Sequence, residues 1–208
     1  KKGLWRQNER NERYKEAFAQ LLAEKRAYGC CCSRKELAER LPSTPHQELR
    51  YDGVCREKGF PCDSEHLWRV RLEPRRFSFK DLLLGEQTQE PWKQCGDLVI
   101  RDRLGYWSYQ FCVTVDDIDQ EIDLIIRGED LLESSGRQLQ LREMLGEKRV
   151  PCFAHHPLLF DKEGKKLSKR EFSTSLGERR EAGATAEQLF GEALGLPPLS
   201  LDEALEQI

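Results

Sequence analysis

The sequence predicts an α/β fold with a parallel sheet, into which a cysteine-rich module is inserted. Short apolar stretches alternate with amphipathic ones along the chain, a pattern that favours strands connected by helices. Residues 124–126 are all apolar, which is typical of a buried parallel strand. Three consecutive cysteines at residues 30–32 belong to neither pattern and mark the inserted module.

Composition indicates a globular chain with a large polar surface. The 208 residues are sufficient for one large domain, or for one domain with an inserted module. Hydrophobic residues make up 38% and charged residues 34%, a balance that argues against disorder. The formal net charge is −3, so any contact with RNA requires a local basic patch.

Cysteine usage and the absence of targeting signals predict a cytoplasmic protein. The sequence contains eight cysteines, no apolar run as long as a membrane span and no signal peptide. Clustered cysteines in the cytoplasm bind metal more often than they form disulfides. The chain does not begin with Met, and we expect further residues upstream.

In the first half of the chain, apolar residues recur at helical spacing over residues 6–27. This spacing predicts an amphipathic helix that Gly29 ends. A shorter helix is predicted over 34–40. Residues 68–72 alternate apolar side chains with two arginines, which predicts a half-exposed strand, whereas residues 74–95 show no assignable pattern. The apolar stripe of the first helix consists of Tyr14, Ala17, Phe18, Leu21 and Leu22.

The second half continues the alternation of strands and helices. The predicted elements are a strand over 98–101 with its turn at 102–105, a helix over 108–117, the parallel strand over 124–126, a helix over 134–145 closed by Gly146, a strand within 153–160, and helices over 186–194 and 201–208. Thr185 is expected to cap the helix that follows it.

The cysteine-rich stretch has the residue types of a zinc site. Cys30 and Cys32 form a Cys-x-Cys pair, and Cys55 can join them across a loop. Spacing does not select the fourth ligand. The alternative is that these thiols are buried as small hydrophobic groups. Zinc would be structural, because no glutamate is positioned as a general base beside an open ligand position. The fourth-ligand candidates are Cys31, Cys62, His46, His66 and Tyr51.

Two further features are candidates for binding charged ligands. Lys166 and Lys169 belong to a basic loop, residues 165–170, that can close over the phosphates of ATP; the alternative is a solvated surface loop. Arg127 follows the predicted parallel strand, where a guanidinium can hold a carboxylate, unless it pairs with a nearby acidic residue. Tyr109 is its candidate hydroxyl partner or a core aromatic.

The ordered set of motifs resembles class I aminoacyl-tRNA synthetases. Residues 166–169 (Lys-Leu-Ser-Lys) resemble the second signature of that class. Residues 127–131, with Gln138 and His155, resemble the glutamyl-tRNA synthetase branch. The agreement in order and spacing extends from about residue 5 to about residue 172, and it is also carried by residues 96–100, 105–109 and 115–117. The resemblance implies a Rossmann-like class I synthetase catalytic domain with an inserted zinc-binding module.

Within that branch, Cys30-x-Cys32 followed by residues 51–56 (Tyr-Asp-Gly-Val-Cys-Arg) most resembles the glutamyl-queuosine tRNA(Asp) synthetase family. That family is a truncated paralogue without an anticodon-binding domain. The resemblance implies these site residues: zinc ligands Cys30, Cys32, Tyr51 and Cys55, glutamate-binding Tyr109 and Arg127, an ATP-binding and catalytic Lys169, and a catalytic Lys166.

The function that the resemblance implies is ATP-dependent activation of glutamate and its transfer to queuosine in tRNA(Asp). The implied partners are glutamate, ATP with Mg²⁺ and queuosine-containing tRNA(Asp), with one Zn²⁺ per chain; we expect a monomer and no membrane contact. The alternatives are a truncated glutamyl-tRNA synthetase that charges tRNA(Glu), and a non-catalytic RNA-binding paralogue.

The first class I signature, His-x-Gly-His or a relative, is not found in the sequence, and we expect it upstream. The predicted organisation has four parts: a helix of the catalytic domain at 1–29, the zinc-binding insert at 30–66, the remainder of the nucleotide-binding core at 67–172, and a helical part at 173–208.

Overall fold

A computed structural model describes residues 5–41, 48–158, 160, 175–194 and 196–206 of the chain. The chain divides into two compact units, Lys1–His156 and Pro157–Ile208. The first unit contains, in order, α1 (Asn11–Ala23), β1 (Ala27–Cys30), α2 (Arg34–Arg40), β2 (Leu67–Val70), β3 (Phe77–Asp81), β4 (Gly85–Gln89), α3 (Pro91–Gln94), β5 (Leu98–Arg101), α4 (Tyr109–Asp119), β6 (Leu124–Gly128), α5 (Ser134–Met144) and β7 (Cys152–His156). No helix within the described ranges has both the length and the apolar character that a bilayer crossing requires.

Four strands of the first unit form a mixed sheet in the order β4-β3-β7-β6. Both β3 and β6 run parallel to β7, and β4 returns antiparallel to β3. The predicted parallel sheet is confirmed for β3, β7 and β6 but not for β4, and the strand predicted at 124–126 is β6. Its predicted burial is wrong, because β6 is the outermost described strand and Ile126 on its face is 68% exposed.

The stretch that showed no pattern, residues 74–95, contains the β3–β4 hairpin. Its turn is closed by Asp81, whose carboxylate oxygen accepts the backbone N–H groups of Leu83 and Leu84 at 3.0 Å each. Gly85 completes the turn with a φ of 75°. The hairpin escapes sequence analysis because its turn contains exposed leucines, the residue type that usually marks a strand or core helix.

Strands β1, β2 and β5 form a second, antiparallel sheet. The prediction that Gly29 ends the first helix is wrong: α1 stops at Ala23, and Gly29 lies inside β1. A Cβ at Gly29 would lie 2.0 Å from the carbonyl oxygen of Pro61, so glycine is required by close backbone approach. Here the glycine marks a crossing of two chain segments rather than a helix end.

The strand predicted at 68–72 is confirmed as β2, but its arginines are not both exposed. Arg69 is buried: its guanidinium donates to the carbonyl oxygen of Asp97 at 2.7 Å and lies 3.7 Å from the ring centre of Tyr51. The alternation of apolar residues with arginines therefore identified the strand correctly. The face that carries Arg69 is nevertheless buried, because the Tyr51 ring and the Asp97 carbonyl oxygen both interact with the guanidinium.

Helix α1 packs on α4 and thereby fixes the position of α4. Four predicted stripe residues of α1 are buried, while Leu22 is exposed. The hydroxyl of Tyr14 donates to both carboxylate oxygens of Asp116 at 3.0 Å. Arg10 and Arg13 bind Asp119 on the next turn of α4. The predicted helix at 108–117 is confirmed, and its first residue, Tyr109, follows the N-cap Ser108.

The second unit is described for three helices, α6 (Leu176–Glu181), α7 (Ala186–Leu194) and α8 (Leu201–Leu205). Thr185 caps α7 as predicted, since its hydroxyl oxygen accepts the backbone N–H of Gln188 at 3.3 Å. The predicted basic loop at 165–170, with Lys166 and Lys169, lies outside the described residues, as does His46. The boundaries of the four predicted parts remain predictions.

Candidate functional site

Three polar side chains lie side by side at the carboxyl ends of three neighbouring strands. Arg127 of β6 is paired in register with His155 of β7, and β7 in turn pairs with β3, which ends at Asp81. Ligands bind at the carboxyl ends of parallel strands in open α/β sheets. The position of Arg127 therefore agrees with the expectation from sequence that it faces a binding site.

The guanidinium of Arg127 is held by three polar side chains. Its Nε donates to His155 Nε2 at 3.0 Å, Nη1 donates to Gln138 Oε1 at 2.8 Å, and Nη2 donates to Ser135 Oγ at 2.9 Å. Gln138 also donates to Gln110 Oε1 at 2.7 Å. Helices α4 and α5 thus supply a polar frame that sets the plane of the guanidinium.

Tyr109 lies next to Arg127 and is 51% exposed, so the core-aromatic alternative is wrong. Burial lowers the pKa of Arg127, while neighbouring Tyr109, Asp117 and Asp130 act to raise it. The carboxylates of Asp117 and Asp130 are therefore close enough to interact with the charge of Arg127. The alternative in which Arg127 forms an ion pair with a nearby acidic residue requires the same proximity. Burial likewise raises the pKa of Asp117 to about 6, against the opposing effects of Arg142 and Arg127.

The cysteine-rich segment converges as a second cluster. The Sγ atoms of Cys30, Cys32 and Cys55 all lie within 4.8 Å of one another, and all three residues are buried. Cys30 is the last residue of β1, and Cys32 directly precedes Ser33, the N-cap of α2. The buried phenol of Tyr51 joins them: its oxygen accepts from Cys30 Sγ at 3.5 Å and from the backbone N–H of Cys55 at 2.9 Å.

The other fourth-ligand candidates within the described residues are placed differently. Cys62 packs against the core that contains α1, and His66 binds Asp63 at 2.6 Å and stacks on Phe60. Cys31 is exposed, although its sulfur lies 3.7 Å from that of Cys55. Burial of the side chain beside the three thiols thus favours Tyr51 over the exposed Cys31, and Tyr51 is the residue that the family resemblance implied.

The environments of the clustered thiols differ. Burial raises the pKa of Cys32 to about 12, although Arg40 donates to its sulfur at 3.4 Å. Burial also acts to raise the pKa of Cys55, but hydrogen bonds from the Cys31 backbone and from Tyr51, Cys32 and Cys31 lower it to about 7. Cys55 therefore gives up its proton more readily than Cys32.

Gly96 lies directly against the backbone of Tyr51, and we expect its replacement to destabilise the fold. Gly96 has a φ of +66°, and a Cβ there would lie 2.0 Å from the Tyr51 carbonyl oxygen. Gly96→Ala should lower the free energy of unfolding by about 2–3 kcal/mol through strain and displacement of Tyr51. Denaturant unfolding measures this loss.

Gly59→Ala is the matched control for Gly96→Ala. Gly59 also has a left-handed φ, +69°, but a Cβ there has nothing within 4 Å. It should therefore cost only the backbone strain, about 1–2 kcal/mol. Equal losses in the two variants would contradict the supporting role of Gly96.

A cleft of about 860 Å³ extends from the cysteine cluster towards α4 and α5. Its lining includes Cys32 and Tyr51 at one side and Gln110 and Arg137 at the other. Arg137 is fixed by Glu48, whose carboxylate accepts two of its N–H groups. The volume is within the range of nucleotide-sized ligand pockets.

The chain belongs to the class I tRNA synthetases: the family described as "tRNA synthetases class I (E and Q), catalytic domain" matches residues 1–203. Within this class it is 38% identical over 205 residues to the Glutamyl-Q tRNA(Asp) synthetase of Chromobacterium violaceum, covering 95% of this chain and 66% of that one. It is 40% identical over 182 residues to the protein of the same name from Geobacter sulfurreducens, covering 86% and 57%.

The resemblance stated from sequence is thus confirmed, and the chain spans 57–66% of the length of these two relatives. Among solved structures, glutamate-tRNA synthetase from Elizabethkingia anophelis superposes with a TM-score of 0.71 at 24% identity, over 98% of this chain and 50% of that one. This similarity confirms the α/β class I catalytic fold. The zinc-binding character of the inserted module remains a prediction.

Two residues around Arg127 were not predicted from the sequence, one on strand β3 and one on helix α5. Asp81 ends a strand that was not predicted, and Ser135 lies in the first turn of a helix that was interpreted by its apolar residues alone. His155 and Gln138 entered only through the family resemblance. The one local signal for them is polar character inside elements that are otherwise buried.

Proposed function

We propose that this chain carries the site of an enzyme that activates glutamate with ATP and transfers the glutamyl group to queuosine in tRNA(Asp). The observation that carries the proposal is the Arg127 guanidinium, held at the strand ends beside Tyr109. The name of the relatives at 38–40% identity supports the choice of acceptor. Because tRNA is a cytoplasmic substrate, the proposal agrees with the predicted location.

The proposed reaction has two steps. Arg127 and Tyr109 orient glutamate, and an oxygen of its α-carboxylate attacks the α-phosphorus of ATP, which breaks the bond to pyrophosphate and leaves glutamyl-adenylate. Lys169 and Lys166, which lie outside the described residues, would neutralise the pyrophosphate together with Mg²⁺. A queuosine hydroxyl then attacks the glutamyl carbonyl, and AMP leaves.

The residues of the cysteine cluster suit a zinc ion. Three buried thiols within 4.8 Å of one another, with a phenol in contact, offer the soft and borderline ligands that Zn²⁺ takes in structural sites. Cys30, Cys32, Cys55 and Tyr51 would hold it, and its contribution would be to fix the segment around the cleft. The cleft lies beside this cluster and has room for a modified nucleoside.

Transfer of labelled glutamate tests the proposed acceptor. We expect the intact protein to glutamylate tRNA(Asp) that contains queuosine, and not the same tRNA made without queuosine, because the attacking hydroxyl belongs to the modified base. Transfer to tRNA(Glu) with queuosine-containing tRNA(Asp) unlabelled would instead identify a glutamyl-tRNA synthetase. Absence of transfer to either, with tRNA binding retained, would favour a non-catalytic RNA-binding paralogue.

A further inference from the structure

A buried carboxylate and imidazole stand behind Arg127. The side chains of Asp81 and His155 are both fully buried, and Asp81 Oδ2 lies 2.5 Å from His155 Nδ1. The other imidazole nitrogen, Nε2, lies 3.0 Å from Arg127 Nε. The three residues occupy adjacent strands β3, β7 and β6: Arg127 pairs in register with His155, and Asp81 pairs with Phe153, two residues before His155 on β7.

The hydrogen bonds around Asp81 determine which imidazole nitrogen carries the proton. The second carboxylate oxygen, Oδ1, accepts backbone N–H groups of Leu83 and Leu84 at 3.0 Å and of His155 at 3.4 Å. Burial acts to raise the pKa of Asp81, but these bonds and the one to the imidazole lower it. An ionised carboxylate at Oδ2 requires a donor, so His155 Nδ1 is protonated.

A neutral imidazole protonated at Nδ1 has a bare Nε2, which can only accept. Arg127 Nε–H is positioned to donate to it, and a guanidinium nitrogen cannot act as an acceptor in return. The bonds from Nη1 to Gln138 and from Nη2 to Ser135 leave one further N–H on each outer nitrogen, and the Tyr109 phenol lies in hydrogen-bond contact with the same guanidinium. Two such N–H groups match the two oxygens of a carboxylate.

We propose that Asp81 and His155 are a positioning pair, which fixes the Arg127 guanidinium so that its outer N–H groups point at a glutamate carboxylate. The inference rests on the proposed function, since it assigns these two residues to glutamate binding. Asp81 sets the tautomer of His155, and His155 sets the rotation of Arg127. Neither residue touches the substrate.

Conservative variants of the intact protein separate the two bonds of His155. His155→Gln can keep an acceptor near the Nε2 position, whereas His155→Asn keeps only a donor towards Asp81. In Asp81→Asn, the amide N–H donates to His155 Nδ1, so the imidazole proton moves to Nε2. The Nε2–H and the Arg127 Nε–H then face each other as two donors, and the hydrogen bond between them is lost. We expect the KM for glutamate to rise about 10- to 100-fold in both asparagine variants and less in His155→Gln, with the KM for ATP unchanged.

Initial rates of glutamate-dependent pyrophosphate exchange, with thermal unfolding as the folding control, provide these constants. Folded asparagine variants with a wild-type KM for glutamate would overturn the inference while leaving the proposed function intact. By contrast, Arg127→Ala with normal glutamate dependence would overturn the proposed function itself. Nitrogen-15 NMR of the unsubstituted protein gives a test independent of variant folding: His155 protonated at Nδ1 is expected, and protonation at Nε2 would overturn the inference.

Discussion

Replacing Arg127 with alanine is expected to remove most glutamate-dependent activation of ATP. The guanidinium is part-buried and fixed by His155, Gln138 and Ser135, so a carboxylate bound to it is held by charge-assisted hydrogen bonds. Removing one partner of such a pair costs about 2–5 kcal/mol, or roughly 30- to 4,000-fold in kcat/KM for glutamate. Steady-state exchange of pyrophosphate into ATP measures the loss.

Two further variants make this result specific. Arg127→Lys keeps the charge but lacks the planar fork, and we expect it to recover only part of the activity. Arg75→Ala removes an exposed arginine that binds Glu143 at 2.7 Å, and it should leave kcat/KM for glutamate unchanged. Retention of glutamate dependence in Arg127→Ala, with the fold intact, would show that glutamate binds elsewhere.

The second large effect is expected at the cysteine cluster. The protein purified without chelator should contain about one zinc per chain, and the double variant Cys32→Ala/Cys55→Ala should contain none, because two of four ligands are lost. Loss of the ion should also lower the midpoint of thermal unfolding, since the three sulfurs lie in a buried cluster that includes Tyr51. Metal analysis and thermal unfolding measure the two effects.

The matched controls for the metal prediction are other thiols of the chain. Cys152→Ala removes an exposed cysteine of β7 and should keep its zinc. Cys31→Ala tests the extra thiol and should also keep zinc, because Cys31 is exposed and outside the buried group. Tyr51→Phe should weaken zinc retention during dialysis against chelator. Stoichiometric zinc in the Cys32/Cys55 double variant would refute the site.

Elements with long, regular apolar spacing were predictable from the sequence, and elements defined by contacts were not. The helix predicted over 108–117 is confirmed as α4, and the structure adds that Ser108 caps it. The β3–β4 hairpin lacks such a pattern, because its leucines are in the exposed turn. Gly29 was misinterpreted because a close approach to Pro61 leaves no trace in the local sequence.

Residues of the candidate site could be predicted from the sequence where their position at the end of a strand indicates a ligand-binding role. Arg127 was a candidate because it follows an apolar run near the end of β6, the place where ligands bind in such sheets. Asp81 was missed because its role depends on β3 pairing with β7, a contact between residues far apart in sequence. For the metal cluster, the cysteines were candidates from their spacing, whereas Tyr51 was singled out first by family resemblance and then by its burial beside them.

The most direct test of the account is pyrophosphate exchange into ATP by the intact protein, with glutamate as the only amino acid and no tRNA present. We predict exchange that depends on glutamate and saturates with it, because Arg127, positioned by His155, provides the carboxylate-binding group without help from RNA. A folded, zinc-loaded protein that binds ATP yet shows no glutamate-dependent exchange would contradict it.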